Sequence, residues 1–192
     1  MVRNPQRRTA LLDAAIDVLA EEGARGLTFR AVDARAGVPM GTASNYFANR
    51  DALLSGVGLR AYERFMPAPA EWERVREVSR DRAGLTELMH GVVRRMLRAP
   101  EVHLALLELQ LEAARRPELR SGLTGRVRED LEANIDLHAR AGMPGGRGAV
   151  VLLYLALNQL VTEHLTLPGV LAPEGSVPEL VAAVVERIVP EG

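Results

Sequence analysis

The chain has no cysteine and no lysine, and all 24 basic side chains among its 192 residues are arginine. Without cysteine there is no disulfide framework, no redox pair and no thiolate metal site, so stability must come from a packed core. The exclusive use of arginine reads as a mark of GC-rich coding rather than of guanidinium chemistry. Aromatic residues are scarce, at 4%, while leucine, alanine and valine dominate the 47% hydrophobic fraction. That balance favours helices over sheets. No sustained apolar–polar alternation marks a strand. The longest apolar run, Ala149 to Leu157, has nine residues, against the ~20 that a membrane-crossing helix needs. No charged-then-apolar leader opens the chain. The expectation is an all-α, cytoplasmic chain with no membrane segment.

Catalytic signatures are absent as well. His90, His103, His138 and His164 fall on separate expected helices with no H-E-x-x-H pair. There is no G-x-S-x-G elbow, and Gly145-Gly146 with Gly148 follows no strand, so it reads as a helix-to-helix hairpin rather than a phosphate loop. No enzyme activity, metal or cofactor is expected.

What the sequence does contain is well-punctuated helical periodicity. Leu12, Ala15, Ile16 and Leu19, spaced i, i+3, i+4, i+7, give one buried face to a helix from about Pro5 to Glu22, which Gly23 ends. Thr28 stands at the N-cap position of a second helix, Phe29 to Ala36, with Phe29, Val32 and Ala36 facing inward. Gly37 reverses the chain, Val38 plugs the corner, and Pro39 suits the first turn of a third helix running to Tyr46. This is a helix-turn-helix, which makes DNA the first partner to consider. The third helix is too short to be stable by propensity alone, so the first two must hold it, with Phe47 as an anchor. Its N-terminal amides and the bare backbone of Gly41 suit a phosphate. Thr42, Ser44 and Asn45 can bond to base edges, Met40 and Ala43 can touch a thymine methyl, and Tyr46 and Arg50 can reach phosphates.

These residues resemble the N-terminal pattern of the tetracycline-repressor (TetR) family of transcriptional regulators. Leu27-Thr28, Ala36-Gly37-Val38, Gly41-Thr42, Tyr46-Phe47 and Arg50-Asp51-Ala52-Leu53-Leu54 carry the match over roughly residues 7 to 57. The resemblance implies phosphate contacts from Thr28, Arg30, Gly41, Tyr46 and Arg50, and base or groove contacts from Met40, Thr42, Ser44 and Asn45. Where many members have Leu-Tyr-His before or overlapping the aromatic-Phe pair, this chain has Ala43, Ser44 and Asn45. The operator sequence therefore does not carry over from relatives.

Charge supports the division modestly. Net charge is −1, but residues 1–50 hold seven arginines against five acids and the remainder seventeen against twenty. Arg3, Arg7 and Arg8 on an N-terminal arm add to the positive field of the head. We therefore expect a DNA-binding domain over residues 1–49 and a helical effector-binding and dimerisation domain over 50–192, opening with a linking helix from Arg50 to Met66. Further helices are expected at about 85–98, 101–115, 118–140, 146–166 and 178–189, separated by proline and glycine. Trp72 and Val75 mark a short turn within a mostly irregular charged stretch.

The helix from Gly146 is apolar nearly all round, and the last helix is apolar over a broad face. Such an excess implies packing against a second copy as well as the core. Leu153, Leu157, Leu160, Leu180, Val184 and Ile188 are the expected contacts of a four-helix homodimer interface, an arrangement the resemblance also implies. Polar residues on apolar stripes point to a small-molecule effector cavity: Gln110, Asn134, His138, Tyr154 and Asn158, walled by Met89, Val93, Met96 and Leu106. Buried amides and imidazoles also commonly satisfy one another or a backbone carbonyl, and that reading stands beside the first. The function expected is a homodimeric repressor that an effector releases from a near-palindromic operator. A helical interaction module that does not bind DNA is the alternative, and a small helical enzyme stands behind it.

Overall fold

The computed structural model describes residues 4–68, 73 and 77–189. Arg3, Trp72 and Val75 lie outside them. All regular structure among the described residues is helical. The helices are α1 (Pro5–Gly26), α2 (Phe29–Arg35), α3 (Thr42–Tyr46), α4 (Arg50–Phe65), α5 (Arg82–Arg98), α6 (Pro100–Arg115), α7 (Pro117–Arg140), α8 (Gly146–Thr166) and α9 (Val177–Ile188), with a 3-10 turn at Ala172–Glu174. The proline and glycine punctuation accounts for their ends. Pro5, Pro100 and Pro178 each occupy a first turn, where a missing N–H costs nothing. Gly23 breaks α1 where the periodicity stops.

The chain divides into two compact units, Met1–Met66 with Ala99–Arg126, and Pro67–Arg98 with Val127–Gly192. In the first, α1 packs against α2, α4 and α6. Its core is built from Leu11, Leu12, Ile16 and Leu19 of α1, Val32 of α2, Leu53, Leu54 and Val57 of α4, and Val102 and Leu109 of α6. The boundary expected at 49/50 thus falls inside this unit, because α4 and α6 bury their apolar stripes on the same helix that scaffolds the head. Asp13 binds Arg60 in a forked pair, at 2.8 and 3.1 Å, which joins α1 to α4 on the outer side of that core.

In the second unit α5, α8 and α9 pack together. Leu85, Met143, Ala149, Leu153, Val185 and Val189 form its core, with Met89, Val184 and Ile188 against it. By length and composition α8 is long and apolar enough to cross a bilayer, with a mean hydropathy of 1.3, although it is interrupted at Asn158 and Gln159. The stripe Ala149, Leu153, Leu157, Leu160 and Val161 is buried within the chain, while Leu152 and Leu155 are 52% and 57% exposed.

His103, on α6, is buried, and burial holds its imidazole below the ordinary histidine range. A depressed folded value means that the unfolded chain takes up the proton first. Stability is then full above the unfolded value of about 6.5 and falls as pH drops below it. Melting curves at pH 7 and pH 5 should show an acid-induced loss that His103→Gln reduces; an identical loss in the variant would remove His103 as its source.

Candidate nucleic-acid interface

The head is assembled from short local rules. The hydroxyl of Thr28 accepts from the Ala31 amide at 3.1 Å and starts α2. At the far end of α2, Asp33 organises everything that follows. Its backbone carbonyl accepts from Val38 N at 3.0 Å, while its carboxylate accepts from Gly41 N and Ala43 N, each at 2.7 Å. The side chain is only 1% exposed. Two glycines permit the reversal. Gly37 (φ 64°) and Gly41 (φ 88°) both adopt the left-handed region, and an added Cβ would meet nothing within 4 Å at either. The requirement is therefore for backbone conformation rather than for space.

This geometry corrects the expected third helix. It runs from Thr42 to Tyr46, not from Pro39, because the left-handed Gly41 ends the turn before helical dihedrals begin. Three amides at its entry are already engaged: those of Gly41 and Ala43 donate to Asp33, and Thr42 N donates to the Pro39 carbonyl. At Gly41, where a backbone contact to phosphate is expected, the amide donates to Asp33. Ala43 is fully buried and cannot touch a base. Met40, 73% exposed, projects outward with Ser44 and Asn45, and Thr42 is half-buried. The Thr42 and Ser44 hydroxyls donate to the carbonyls of Pro39 and Gly41, which orients them and leaves their oxygens able to accept. Tyr46 is half-buried against the core and Phe47 is buried in it. Thr28 and Arg30 are exposed at the start of α2. Arg7 and Arg8 lie on the first turns of α1 rather than on a free arm, and Arg8 stacks 5.4 Å from the Phe47 ring centre.

Arg50 is the largest departure. Its guanidinium faces inward, donating to the carbonyls of Ala24 and Leu27 at the end of α1 and pairing with Glu112 of α6. Glu112 is buried and also binds Arg115 and Arg116, and Arg116 returns to Asp51 at 2.7 Å. The side chain expected to reach phosphate here joins the first turn of α4 to the end of α1 and to α6. Two further residues were not singled out by the sequence. Asn49 caps α4 by accepting from Ala52 N at 2.8 Å, and Glu108 of α6 accepts from Ala24 N at 3.0 Å. The Asn49-Arg50-Asp51-Ala52 spacing contains the cap signal; nothing local marks Glu108.

The expected effector residues are divided between the two units. Leu106 belongs to the core of the first unit, and Gln110 is exposed, since the buried stripe of α6 runs through Val102, Ala105, Leu109 and Ala113 to one side of it. In the second unit Met89 packs on the core and Val93 and Met96 are buried. Asn134 is exposed and donates to the Asp130 carbonyl of its own helix, correcting the inward placement. His138 is buried but bonds to the Pro144 carbonyl at 2.9 Å, closing the turn between α7 and α8. Tyr154 is exposed, and half-buried Asn158 donates to the Tyr154 carbonyl. A cavity of about 140 Å³ lies elsewhere, in the first unit, lined by Leu54, Ser55, Gly58 and Leu59 of α4, Leu109 of α6, and Leu119, Gly122, Leu123 and Arg126 of α7. The residues expected at a dimer interface differ in exposure within the single chain. Leu153, Leu157 and Leu160 face the interior, and the exposed apolar line of α8 is Leu152 and Leu155; Leu180, Val184 and Ile188 of α9 are half-buried.

Comparison with solved structures returns the same architecture repeatedly. The multidrug binding protein EbrR, solved in complex with ethidium, is 27% identical, with 97% of this chain and 100% of that one covered and a TM-score of 0.68. A member of the TetR family from Streptomyces coelicolor A3 is 27% identical over 97% of this chain and 99% of that one, with a TM-score of 0.69. A transcriptional regulator from Rhodococcus sp. Rha1 shares the fold at 19% identity, over 94% of this chain and 95% of that one, with a TM-score of 0.71. Curated proteins yield no match. Residues 11–57 match the family described as bacterial regulatory proteins, tetR family, and residues 80–191 match the tetracyclin repressor-like C-terminal domain. With a matched reading head followed by a matched body, the chain belongs to the TetR family of DNA-binding transcriptional regulators.

Proposed function

We propose that the chain is a homodimeric repressor, working in the cytoplasm on a near-palindromic DNA operator and released from it by a small-molecule effector. The observation that carries the reading is the head: a reversal fixed by Gly37 and Gly41 presents Met40 outward from the turn, and Ser44 and Asn45 outward on the short helix that follows, held by a buried core. In this reading residues 1–49 read DNA and residues 50–192 respond to the effector and dimerise. A two-fold dimer sets two such heads in successive major grooves, about 34–36 Å apart. The exposed Leu152 and Leu155 of α8, with Leu180, Val184 and Ile188 of α9, supply an apolar face for the second copy.

Phosphate contacts fall to Thr28, Arg30 and Tyr46, and base selection to Met40, Thr42, Ser44 and Asn45. Arg30→Ala is expected to weaken binding to every duplex and to flatten the salt dependence by about one unit of slope. Asn45→Ala is expected to relax selectivity at one base pair, by about 1–3 kcal/mol. Equal loss of discrimination in both variants, measured by competition with single-base operator changes, contradicts this division.

EbrR has been solved with imidazole and with ethidium, and a small-molecule effector is taken for this chain by analogy. The cavity among α4, α6 and α7 matches the size that admits a benzene-like molecule. Its lining is apolar apart from Ser55 and Arg126, and Arg126 lies over the Tyr62 ring, so it favours a small, mostly apolar compound. An effector shifts the equilibrium only by its affinity difference between the DNA-binding and released states. Operator affinity measured across a compound panel tests the switch: a compound that binds the chain and releases DNA supports it, and binding without any change in operator affinity contradicts it.

A further inference from the structure

The first turn of a helix at a DNA surface ordinarily offers its amides to phosphate, a contact that adds affinity for any sequence. Here an internal carboxylate holds two of the amides at the entry of α3, those of Gly41 and Ala43. Asp33 binds Gly41 N and Ala43 N at 2.7 Å each, is almost wholly buried, and takes Val38 N on its own carbonyl. One residue therefore fixes both ends of the turn and the entry of α3. It also sets a carboxylate against the backbone of Gly41 and Ala43, within the segment that carries Met40, Ser44 and Asn45.

We propose that Asp33 is a specificity-determining positioning residue: it fixes the angle of α3 and withholds two backbone donors, Gly41 N and Ala43 N, from phosphate, so that discrimination rests on the side chains of Met40 to Asn45. The inference rests on α3 being the DNA-reading helix. Two physical effects act together. The carboxylate occupies donors that phosphate would use, and its charge repels phosphate at the same place. Both lower affinity for all DNA, whereas the fixed angle of α3 matters only for the correct bases. Removing the carboxylate should then raise general binding while reducing selectivity. A residue that merely stabilises the head would, on removal, weaken both kinds of binding together.

The test uses the full chain. The wild type first enriches a site from a random duplex library; wild type, Asp33→Ala and Asp33→Asn are then titrated against that site and against a scrambled duplex over a range of salt. Asp33→Ala is expected to bind the scrambled duplex about two- to fivefold more tightly, with a salt slope steeper by about one. The ratio of selected to scrambled affinity should fall about tenfold. Asp33→Asn keeps the side-chain shape and one acceptor, and should move in the same direction by less. If Asp33→Ala does not fold, Asp33→Asn decides the question. Parallel weakening on both duplexes, or unchanged slopes and ratio, overturns the proposal and leaves the DNA-reading role intact. Failure of the wild type to enrich any sequence overturns that role, and the proposal with it.

Discussion

Replacing Arg50 with alanine is expected to lower the melting temperature by roughly 4–8 °C, a loss of about 2 kcal/mol, while leaving the salt slope of DNA binding unchanged. The resemblance to relatives implies the opposite, a phosphate contact whose loss flattens that slope by about one unit. The structure separates the two outcomes because the guanidinium is already engaged by the Ala24 and Leu27 carbonyls and by Glu112. Removing it strands the carbonyls and takes one cation from a buried carboxylate. Breaking a fully buried pair costs about 3–5 kcal/mol. The Arg50 side chain is 35% exposed and Glu112 keeps Arg115 and Arg116, so the smaller figure applies. Arg116 first, then Arg115 and the charge of Arg50, hold the Glu112 carboxyl below its usual range. A depressed carboxyl stabilises the fold above its unfolded value, about 4.3, and that contribution is lost as pH falls through the folded value. The difference between wild type and Arg50→Ala should accordingly shrink in acid. Thermal melts at pH 7 and pH 4, paired with DNA titrations at several salt concentrations, check both halves. An unchanged melting temperature with a flattened slope restores Arg50 to the DNA surface.

The second large effect concerns assembly. If the chain assembles as proposed, Leu152→Glu with Leu155→Glu is expected to convert the proposed dimer to a monomer and to lower operator affinity by at least about a hundredfold, since each head then binds without the other's help. Both leucines are more than half exposed in the single chain, so two carboxylates there leave its core untouched. They cannot be buried unpaired against a second copy. Leu153→Glu is the contrasting control: that side chain is 3% exposed, and its replacement should unfold the second unit rather than dissociate a folded chain. Sedimentation velocity with circular dichroism distinguishes the cases. A double variant that stays dimeric moves the interface off this face of α8.

The same contrast shows where the sequence was readable. Helix ends were legible because proline and glycine act locally: Pro100, Pro117 and Gly145 sit at boundaries whatever packs nearby. The phase of α1 was legible because its apolar residues occupy one stripe. The phase of α8 was not, because it is apolar nearly all round; Leu153 and Leu152 are the same residue type one position apart, and only their neighbours decide which is core. The polar positions failed for a related reason. Asn134 lies at the edge of the stripe that buries Ile135 and His138, and a small rotation of the helix sends it to solvent.

In the head, the scaffold was legible and the electrostatics were not. Thr28, Gly37 and Phe47 have roles that follow from residue type and spacing. No motif in the sequence sets Asp33 apart, yet it is the buried partner of amides eight and ten residues away. Arg50 reads as a free cation beside a DNA-binding motif, but its acceptors lie in α1 and in α6, a helix that begins 50 residues later. Long-range satisfaction of a charge leaves no local trace.

The central claim, that this chain recognises a DNA sequence through paired heads, is tested most directly by selecting duplexes from a random library with the full-length protein. The account predicts enrichment of one near-palindromic site, with half-site centres about 10–10.5 base pairs apart or a multiple of that spacing. Binding to it should be lost in the Leu152→Glu, Leu155→Glu variant. Recovery of unenriched DNA, held only at low salt and equally by that variant, would contradict it.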